Sequence, residues 1–485
     1  MREPQVCVAV TGATMDEIRR NRDGAEGADL VEMRLDTVDL PDAAGALEGR
    51  RRPVIVTCRA AWEGGYFQGP EEARRAVLEQ AIAHGAEFVD VEAMASFAPD
   101  LIRSRRGRGV ILSSHYFDAM PADLAGRWRA LKSSGAEIAK LAVTVTSLSE
   151  TLQLMALARP EPGEAGNGPL GHVLIAMGEP GVPSRVLASK LGNRWTYAGQ
   201  SVAPGQFETK RLLNEFRFRQ LRADAAIYGV VGSPVGHSRS PVMHNAGFAH
   251  FGLNAVYLPL QAADAQDFVR FARAMDLAGA SITAPFKIAL MSEVDDLEPL
   301  ARRVGAINTL VVRNGRWCGA NTDVHGFSAP LSGRLAVKGV RASILGAGGA
   351  ARAVAVALAD MGALVTVCAR RADAAREIAA LAGGTVGAFP PRSGSWDVLV
   401  NAIPAGRDAA TDSPIGAAPL DGEIVFDLEY APAETRLLAD ARAAGCMTIG
   451  GLEMLVAQAE RQFELWTGHR PPEGLFQQAA GRTHS

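Results

Sequence analysis

Eight short apolar runs punctuate the first 200 residues, with a turn and a helix-like stretch between one run and the next, and this alternation restricts the fold more than any other feature. The runs are CVAV from Cys7, LVEMR from Leu30, VIVTC from Val54 and FVDVE from Phe88, followed by VILSSH from Val110, EIAKLAV from Glu137, HVLIAM from His172 and WTYAG from Trp195. Segments such as Glu71–His84 and Leu148–Ala158 between them read as helices. Runs that stay apolar, instead of alternating with polar residues, belong to parallel strands covered on both faces by helices. Eight such units favour a closed (β/α)8 barrel, at the small end for that architecture. An open, doubly wound sheet is the alternative. The Gly/Pro-rich stretch 158–171 joins a helix to the seventh run, which puts it opposite the barrel's active face and makes it a tolerated insertion.

A helix-like stretch from Thr209 to Leu221 closes this half, and a new strand, AAIYGVVG, begins at Ala225. The second half is again α/β. Its most distinctive block is RASILGAGGAARAVAVALADMGALVTVCARR from Arg341, which reads strand, glycine turn, helix, strand. The expected organisation is a barrel over 1–222, an α/β lobe over 225–330 completed by 451–485, and a Rossmann-type nucleotide domain over 331–450. Composition excludes several classes. With 48% hydrophobic and 21% charged residues the chain is an ordinary globular one. A net charge of -3 offers no basic excess for nucleic acid or anionic lipid. Five scattered cysteines without CxxC spacing favour neither a disulfide framework nor a metal site. No signal peptide or membrane span is expected, and a cytoplasmic protein is the working class.

Polar residues fall at the ends of the buried runs: Glu32, Arg34, Arg59, Glu92, His115 and Lys140. In a barrel these ends converge on the face that carries chemistry. A lone lysine ending a strand is usually a surface residue, and a lone buried histidine is often merely hydrogen-bonded. Here the lysine sits within an apolar run, with a histidine on the preceding strand. Burial beside cations favours the neutral amine that attacks carbonyls, so the pair points to imine chemistry with a histidine proton shuttle. Arg34, Arg59 and Arg185 suit an anionic, hydroxylated substrate.

The pieces DLVEMRLD, TCRAAWEGG, SSHYF, KLAV, PSRVLASKLG and VAPGQ make this half similar to type I 3-dehydroquinate dehydratase over nearly its whole length. The resemblance implies a Schiff base from Lys140 to the C3 ketone of 3-dehydroquinate. It also implies His115 as the acid/base that removes a C2 proton and helps expel the C1 hydroxyl. Arg185 would grip the substrate carboxylate, Glu32, Arg34, Arg59 and Gln206 would hold hydroxyls and close the site, and Glu63 would pair with one of the arginines. Val202 stands where the family usually has serine before APGQ.

In the second half, GAGGAA fits the G-x-G-x-x-G/A fingerprint through Gly346, Gly348 and Ala351, and it follows an apolar strand and opens a helix. Such glycines let a pyrophosphate approach the backbone at a helix N-terminus. The next strand ends Cys368-Ala369-Arg370-Arg371, without a carboxylate, which favours the 2′-phosphate of NADP over NAD. The plain alternative is two solvated surface arginines. Around this block, GSPVGHSRSPVMHN, SITAPFK, GAINTL, GANTDVHGF, VNAIPAG, DLEYAPAETRLL and GLEMLVAQAERQFELWTG make the half similar to shikimate dehydrogenase. The resemblance implies Ser238 and Ser240 on the substrate carboxylate, with Thr283, Asn308, Tyr430 and Gln458 as further substrate contacts. Lys287 and Asp323 would flank the reacting oxygen, Lys287 as the leading acid/base. Gly346, Ala347, Gly348, Gly349, Ala350, Ala351, Arg370, Arg371, Asn401 and Gly451 would hold NADP(H). Ala369 stands where the family often has asparagine. His237, His244 and His325 read as structural, with no metal-ligand cluster around them.

Joined, the two halves resemble bifunctional enzymes of the shikimate pathway that carry 3-dehydroquinate through 3-dehydroshikimate to shikimate. Two alternatives share these sequences. One is quinate metabolism, against which the two serines favour the smaller shikimate. The other is a catalytically inactive quinate-responsive regulator, against which Lys140, His115, Lys287 and Asp323 are all present.

Overall fold

The computed structural model describes residues 4–159, 171–199, 205–403 and 411–481. Most of the 158–171 insertion and Val202 lie outside them. By compactness the chain divides into two units, one of Met1–Ala226 with Pro234–Gly236 and Asn254–Met275, the other of Ile227–Ser233, His237–Leu253 and Asp276–Ser485.

The eight apolar runs of the first unit become strands β1 (Gln5–Val10), β2 (Leu30–Arg34), β3 (Val54–Thr57), β4 (Phe88–Glu92), β5 (Val110–Tyr116), β6 (Ile138–Thr144), β7 (Gly171–Met177) and β8 (Trp195–Ala198). They lie in the order β7-β6-β5-β4-β3-β2-β1-β8, each pairing parallel to its neighbour. The expected barrel is therefore the observed fold. At its seam a side chain does the work of a ladder. The Asn193 amide, just before β8, donates to Leu174 O (3.0 Å) and its carbonyl accepts from Leu174 N (3.0 Å), while Arg194 N donates to His172 O (2.8 Å).

The helices start where side chains satisfy their first free N–H groups. Thr14, Asp123 and Ser147 accept from the backbone of Glu17, Gly126 and Glu150. Interior-facing Cys7, Ile55, Ile111, Ile138, Ile175 and Trp195 fill the barrel floor, so it is a packed core with its polar residues gathered at one end. The stretch expected as one helix from Thr209 to Leu221 is broken instead: Arg217 takes a left-handed φ of 54°, which an L residue cannot sustain within a helix.

In the second unit a mixed sheet runs in the order Ala226–Gly232, Gly279–Ile282, Thr309–Arg313, Arg316–Ala320, Asp296–Leu297. A second sheet is wholly parallel, in the order Thr385–Val386, Leu364–Cys368, Arg341–Leu345, Val398–Asn401, Ile424–Asp427, Met447–Gly450. Counted from Arg341–Leu345 this is the 3-2-1-4-5-6 order of a Rossmann sheet, whose ligand crevice lies where the strand order reverses. Helix Gly349–Asp360 packs on it through Ala351 and the unbroken buried run Ala353–Leu358. Among the described residues no helix is long and apolar enough to cross a membrane.

Candidate active sites

One cavity opens among the strand ends of the barrel, and Glu32, Arg34, Arg59, His115, Lys140, Arg185 and Gln206 all line it, with Phe117, Met177 and Tyr197. Lys140 is 3% exposed. It reaches into the barrel because its register partner on β5, Ser113, is also an inward position. Its Nζ donates to Asp90 Oδ2 at 2.8 Å and to Glu32 Oε2 at 3.3 Å, and lies 4.5 Å from the centre of the Tyr197 ring. Burial acts to raise the Glu32 carboxyl, but Lys140 and Arg59 outweigh it and hold the group below its ordinary value. Thr57 Oγ1 donates to its other oxygen at 2.8 Å.

Arg59 lies between acids. It meets Asp90 Oδ1 at 3.0 Å and Glu92 Oε1 at 3.1 Å, and donates to Ser113 Oγ at 2.9 Å. Burial works against its charge, yet Asp90, Glu92 and Glu32 raise its pKa further. The arginine partner expected for Glu63 is present, with Arg59 at 3.9 Å, but the shorter contact is to histidine. Glu63 Oε1 accepts the His115 backbone N–H at 2.9 Å and faces His115 Nδ1 at 2.8 Å. Burial, assisted by Arg59 and Lys140, holds His115 well below its ordinary pKa, so the ring is neutral near pH 7. Burial also pushes Glu63 up to about 8. Arg34 is spent locally on Asp36, in a bidentate pair of 2.8 and 2.7 Å. Arg185 differs, since burial alone lowers it to about 10. An anion entering beside it would reverse that effect.

Sequence reasoning passed over two residues of this cavity region. Asp90 lies two positions before Glu92 in FVDVE, on the same inward face, and a period-two reading would have found it. Tyr197 sits inside WTYAG and reads as an ordinary strand aromatic.

In the second unit Lys287 Nζ meets Asp323 Oδ2 at 2.5 Å. Asp323 opens helix Asp323–Leu331, and its other oxygen accepts from Asn308 Nδ2 at 2.7 Å. The same amide reaches Thr322 Oγ1 (2.9 Å) and Gln458 Oε1 (3.4 Å), so Lys287, Asp323, Asn308 and Gln458 form one cluster. Gln462 supports it from below, donating to Asn308 O at 3.1 Å and accepting from Ser281 Oγ at 2.7 Å. It is one helical turn past Gln458, which is the signal that could have pointed to it. Ser240 opens helix Ser240–His250, and its N–H donates to Ser238 Oγ at 3.2 Å. Tyr430 neighbours Ser238 and is raised chiefly by burial. Thr283 follows strand Gly279–Ile282, its N–H bonded to Val231 O at 2.9 Å.

The nucleotide sheet carries a groove lined by Gly346, Ala347, Gly348, Ala369, Arg370, Arg371, Phe389, Ala402 and Ile403. Gly346 takes φ 103°, and a Cβ there would meet Ala402 O at 3.1 Å, so the turn demands glycine. Gly348 has open space around it and caps helix Gly349–Asp360. A Cβ on Gly349 would touch Lys287 Cδ at 3.2 Å, so the start of this helix adjoins the Lys287 cluster. Ala350 follows on the helix and Ala351 is fully buried against the sheet. Asn401 ends its strand, ties to Asp427 Oδ1 at 2.9 Å and accepts from Ile403 N at 3.1 Å. Gly451 opens helix Gly451–Thr467 where a Cβ would collide with Leu428 O at 2.2 Å. An open turn at a helix N-terminus, with two arginines and, among the described residues, no carboxylate on its rim, fits a dinucleotide bearing an extra phosphate. His244 is fully buried among Phe463, Trp466 and Phe476, and burial lowers it to about 3. It is a core residue.

Comparison with known proteins adds three family matches. Residues 6–222 match the model of type I 3-dehydroquinase, 230–310 that of the shikimate dehydrogenase substrate binding domain, and 451–480 that of the shikimate 5'-dehydrogenase C-terminal domain. The chain is 33% identical to the bifunctional 3-dehydroquinate dehydratase/shikimate dehydrogenase, chloroplastic, of Arabidopsis thaliana, across 98% of this chain and 83% of that one. It is 42% identical to the shikimate dehydrogenase (NADP(+)) of Halobacterium salinarum, across 52% of this chain and 97% of the relative. Among solved structures, shikimate dehydrogenase from Aquifex aeolicus superposes with a TM-score of 0.51 at 33% identity, covering 54% of this chain and 100% of that one. A shikimate dehydrogenase in complex with NADP+ gives 0.50 at 31% identity, covering 54% and 96%.

Proposed function

The chain belongs to the family of bifunctional 3-dehydroquinate dehydratase/shikimate dehydrogenases, and we propose that it dehydrates 3-dehydroquinate in its barrel and reduces the resulting 3-dehydroshikimate to shikimate with NADPH in its second half. The domain division proposed with this reading is 1–222 for the dehydratase, 225–330 completed by 451–485 for the substrate lobe of the dehydrogenase, and 331–450 for the NADP domain. The observation that carries the reading is a nearly buried lysine held by two carboxylates in a cavity it shares with a neutral histidine.

In the barrel, Lys140 lends a proton to His115, its amine attacks the C3 ketone, and the returned proton lets the ketone oxygen leave as water, giving a protonated imine. The imine withdraws electrons from C2, so a neutral imidazole suffices to take the C2 proton. His115 does so, and Glu63 on Nδ1 orients the ring with Nε2 toward the cavity. The electron pair released at C2 expels the C1 hydroxyl, which leaves as water on receiving the proton from His115. A second water hydrolyses the imine and returns Lys140. Arg185 takes the substrate carboxylate, while Glu32, Arg34, Arg59 and Gln206 receive hydroxyls.

In the second half, Ser238 and Ser240 bind the carboxylate of 3-dehydroshikimate, and Thr283, Asn308, Tyr430 and Gln458 surround its ring. NADPH, when bound along Gly346–Ala351, Asn401 and Gly451 with its extra phosphate at Arg370 and Arg371, supplies the hydride. Lys287, steadied by Asp323, gives the proton that completes the new hydroxyl.

The test is chemical trapping. Borohydride added with 3-dehydroquinate should fix the substrate carbon skeleton on Lys140, as read by peptide mass. Lys140→Ala should lose trapping and dehydration while oxidising shikimate with NADP+ at close to the wild-type rate. Trapping at another lysine, or dehydration that survives the substitution, would overturn the assignment.

A further inference from the structure

We propose that Arg74 is a positioning residue of the dehydration site, acting through Glu92 on both Lys140 and His115; this rests on the dehydratase reading of the barrel. Arg74 belongs to the outer helix Glu71–Ala83, yet it shares that helix's buried stripe with Val77, Leu78 and Ala81. Its side chain is 0% exposed, whereas that of the adjacent Arg75 is 40% exposed. An arginine placed where a leucine would ordinarily pack needs partners for its charge, and it has them on every side. Nη1 is hydrogen-bonded to Glu92 Oε2 and donates to Cys58 O at 3.3 Å. Nε and Nη2 hold Glu71 at 3.0 and 2.7 Å. The rings of Trp62 and Phe97 flank the guanidinium at 5.7 and 5.0 Å.

Arg74 does not line the cavity, so its effect must pass through Glu92. That carboxylate, itself fully buried, gives its other oxygen to Arg59 Nη1 at 3.1 Å and to the backbone N–H of Ala60 at 3.3 Å. Arg74 on Cys58 O and Glu92 on Ala60 N therefore grip the backbone on both sides of Arg59. From this clamp two arms leave. One runs from Arg59 to Asp90 at 3.0 Å and from Asp90 to Lys140 at 2.8 Å. The other follows the short turn Ala61–Glu63, which delivers Glu63 to His115 at 2.8 Å.

Charge balance points the same way. Glu32, Asp90 and Glu92 are buried together, and among the described residues the cations that pair with these three are Lys140, Arg59 and, for Glu92, Arg74. Without it Glu92 must draw on Arg59 alone, at the expense of Asp90 and hence of the place where Lys140 is held.

Removing Arg74 should displace the two reacting groups, while of the residues given to substrate binding it disturbs Arg59 and leaves Arg34, Arg185 and Gln206 in place. Steady-state dehydration of 3-dehydroquinate by the full chain should show, for Arg74→Met, kcat reduced by about 10–100-fold with KM within about threefold of wild type. Arg74→Lys keeps a cation for Glu92 but not the fork that also holds Cys58 O, and it should recover part of that loss. Circular dichroism checks folding. Where Arg74→Met does not fold, Arg74→Lys carries the test, with kcat reduced by about 3–30-fold at an unchanged KM. A folded variant with wild-type kcat, or a loss that falls on KM alone, would overturn the inference. A wild-type chain that fails to dehydrate 3-dehydroquinate would overturn the reading beneath it instead.

Discussion

At the scale of single residues, the barrel site is an exercise in keeping one histidine neutral and oriented. Burial does the first, and the Glu63 carboxylate on Nδ1 the second. Because burial also pushes Glu63 up to about 8, its ionisation falls within the working range. The sign follows from the role: the carboxylate form holds the Nδ1 proton and leaves Nε2 free as base, whereas a proton on Glu63 removes that acceptor. Dehydration measured as kcat/KM should therefore rise as pH climbs through about 8, and Glu63→Gln should lose that limb along with most of the rate. A wild-type profile flat from about pH 6 to about pH 9 would contradict the pairing. Lys140 and His115 were legible in the sequence because a lysine inside an apolar run has few bland explanations. Period two puts Asp90 on the inward face with Glu92, but its bond to Lys140 exists only once β4 and β6 face the same barrel interior. Arg74 is marked only by its helical spacing to Val77, Leu78 and Ala81, which turns it inward and Arg75 outward; its bond to Glu92 appears only when that helix packs on the barrel.

At the scale of elements, the repeated apolar run and helix made the barrel readable, and the strand–glycine–helix block did the same for the nucleotide sheet. The seam was not readable. Asn193 in LGNRW looks like a turn residue, and only the approach of β7 to β8 gives its amide two backbone partners. Asn193→Ala should leave Leu174 N and O unsatisfied in a buried place and lower barrel stability by about 2–4 kcal/mol, measured by urea unfolding. A loss under about 0.5 kcal/mol would mean that the seam is held by packing alone. The stretch 209–221 misled in the other direction: its helical composition gave no sign of the left-handed Arg217 that breaks it.

At the scale of the whole molecule, one chain carries two sites built on different physics. The barrel buries opposed charges around Lys140 and His115, the nucleophile and base of the proposed mechanism, whereas the second half builds a polar cluster beside a glycine turn. Cofactor choice should rest on the rim of that turn. Replacing Arg370 or Arg371 by alanine should weaken NADP binding by about 10–100-fold while changing NAD binding little, as titrated by calorimetry. Equal weakening of both would remove the arginines from phosphate recognition. The central claim, that both sites work and in series, is tested most directly by adding 3-dehydroquinate alone to the purified chain with NADPH and following absorbance at the nicotinamide band. The account predicts steady NADPH oxidation, abolished by Lys140→Ala and restored in that variant by 3-dehydroshikimate. No oxidation with either substrate, from a folded wild-type chain, would contradict it.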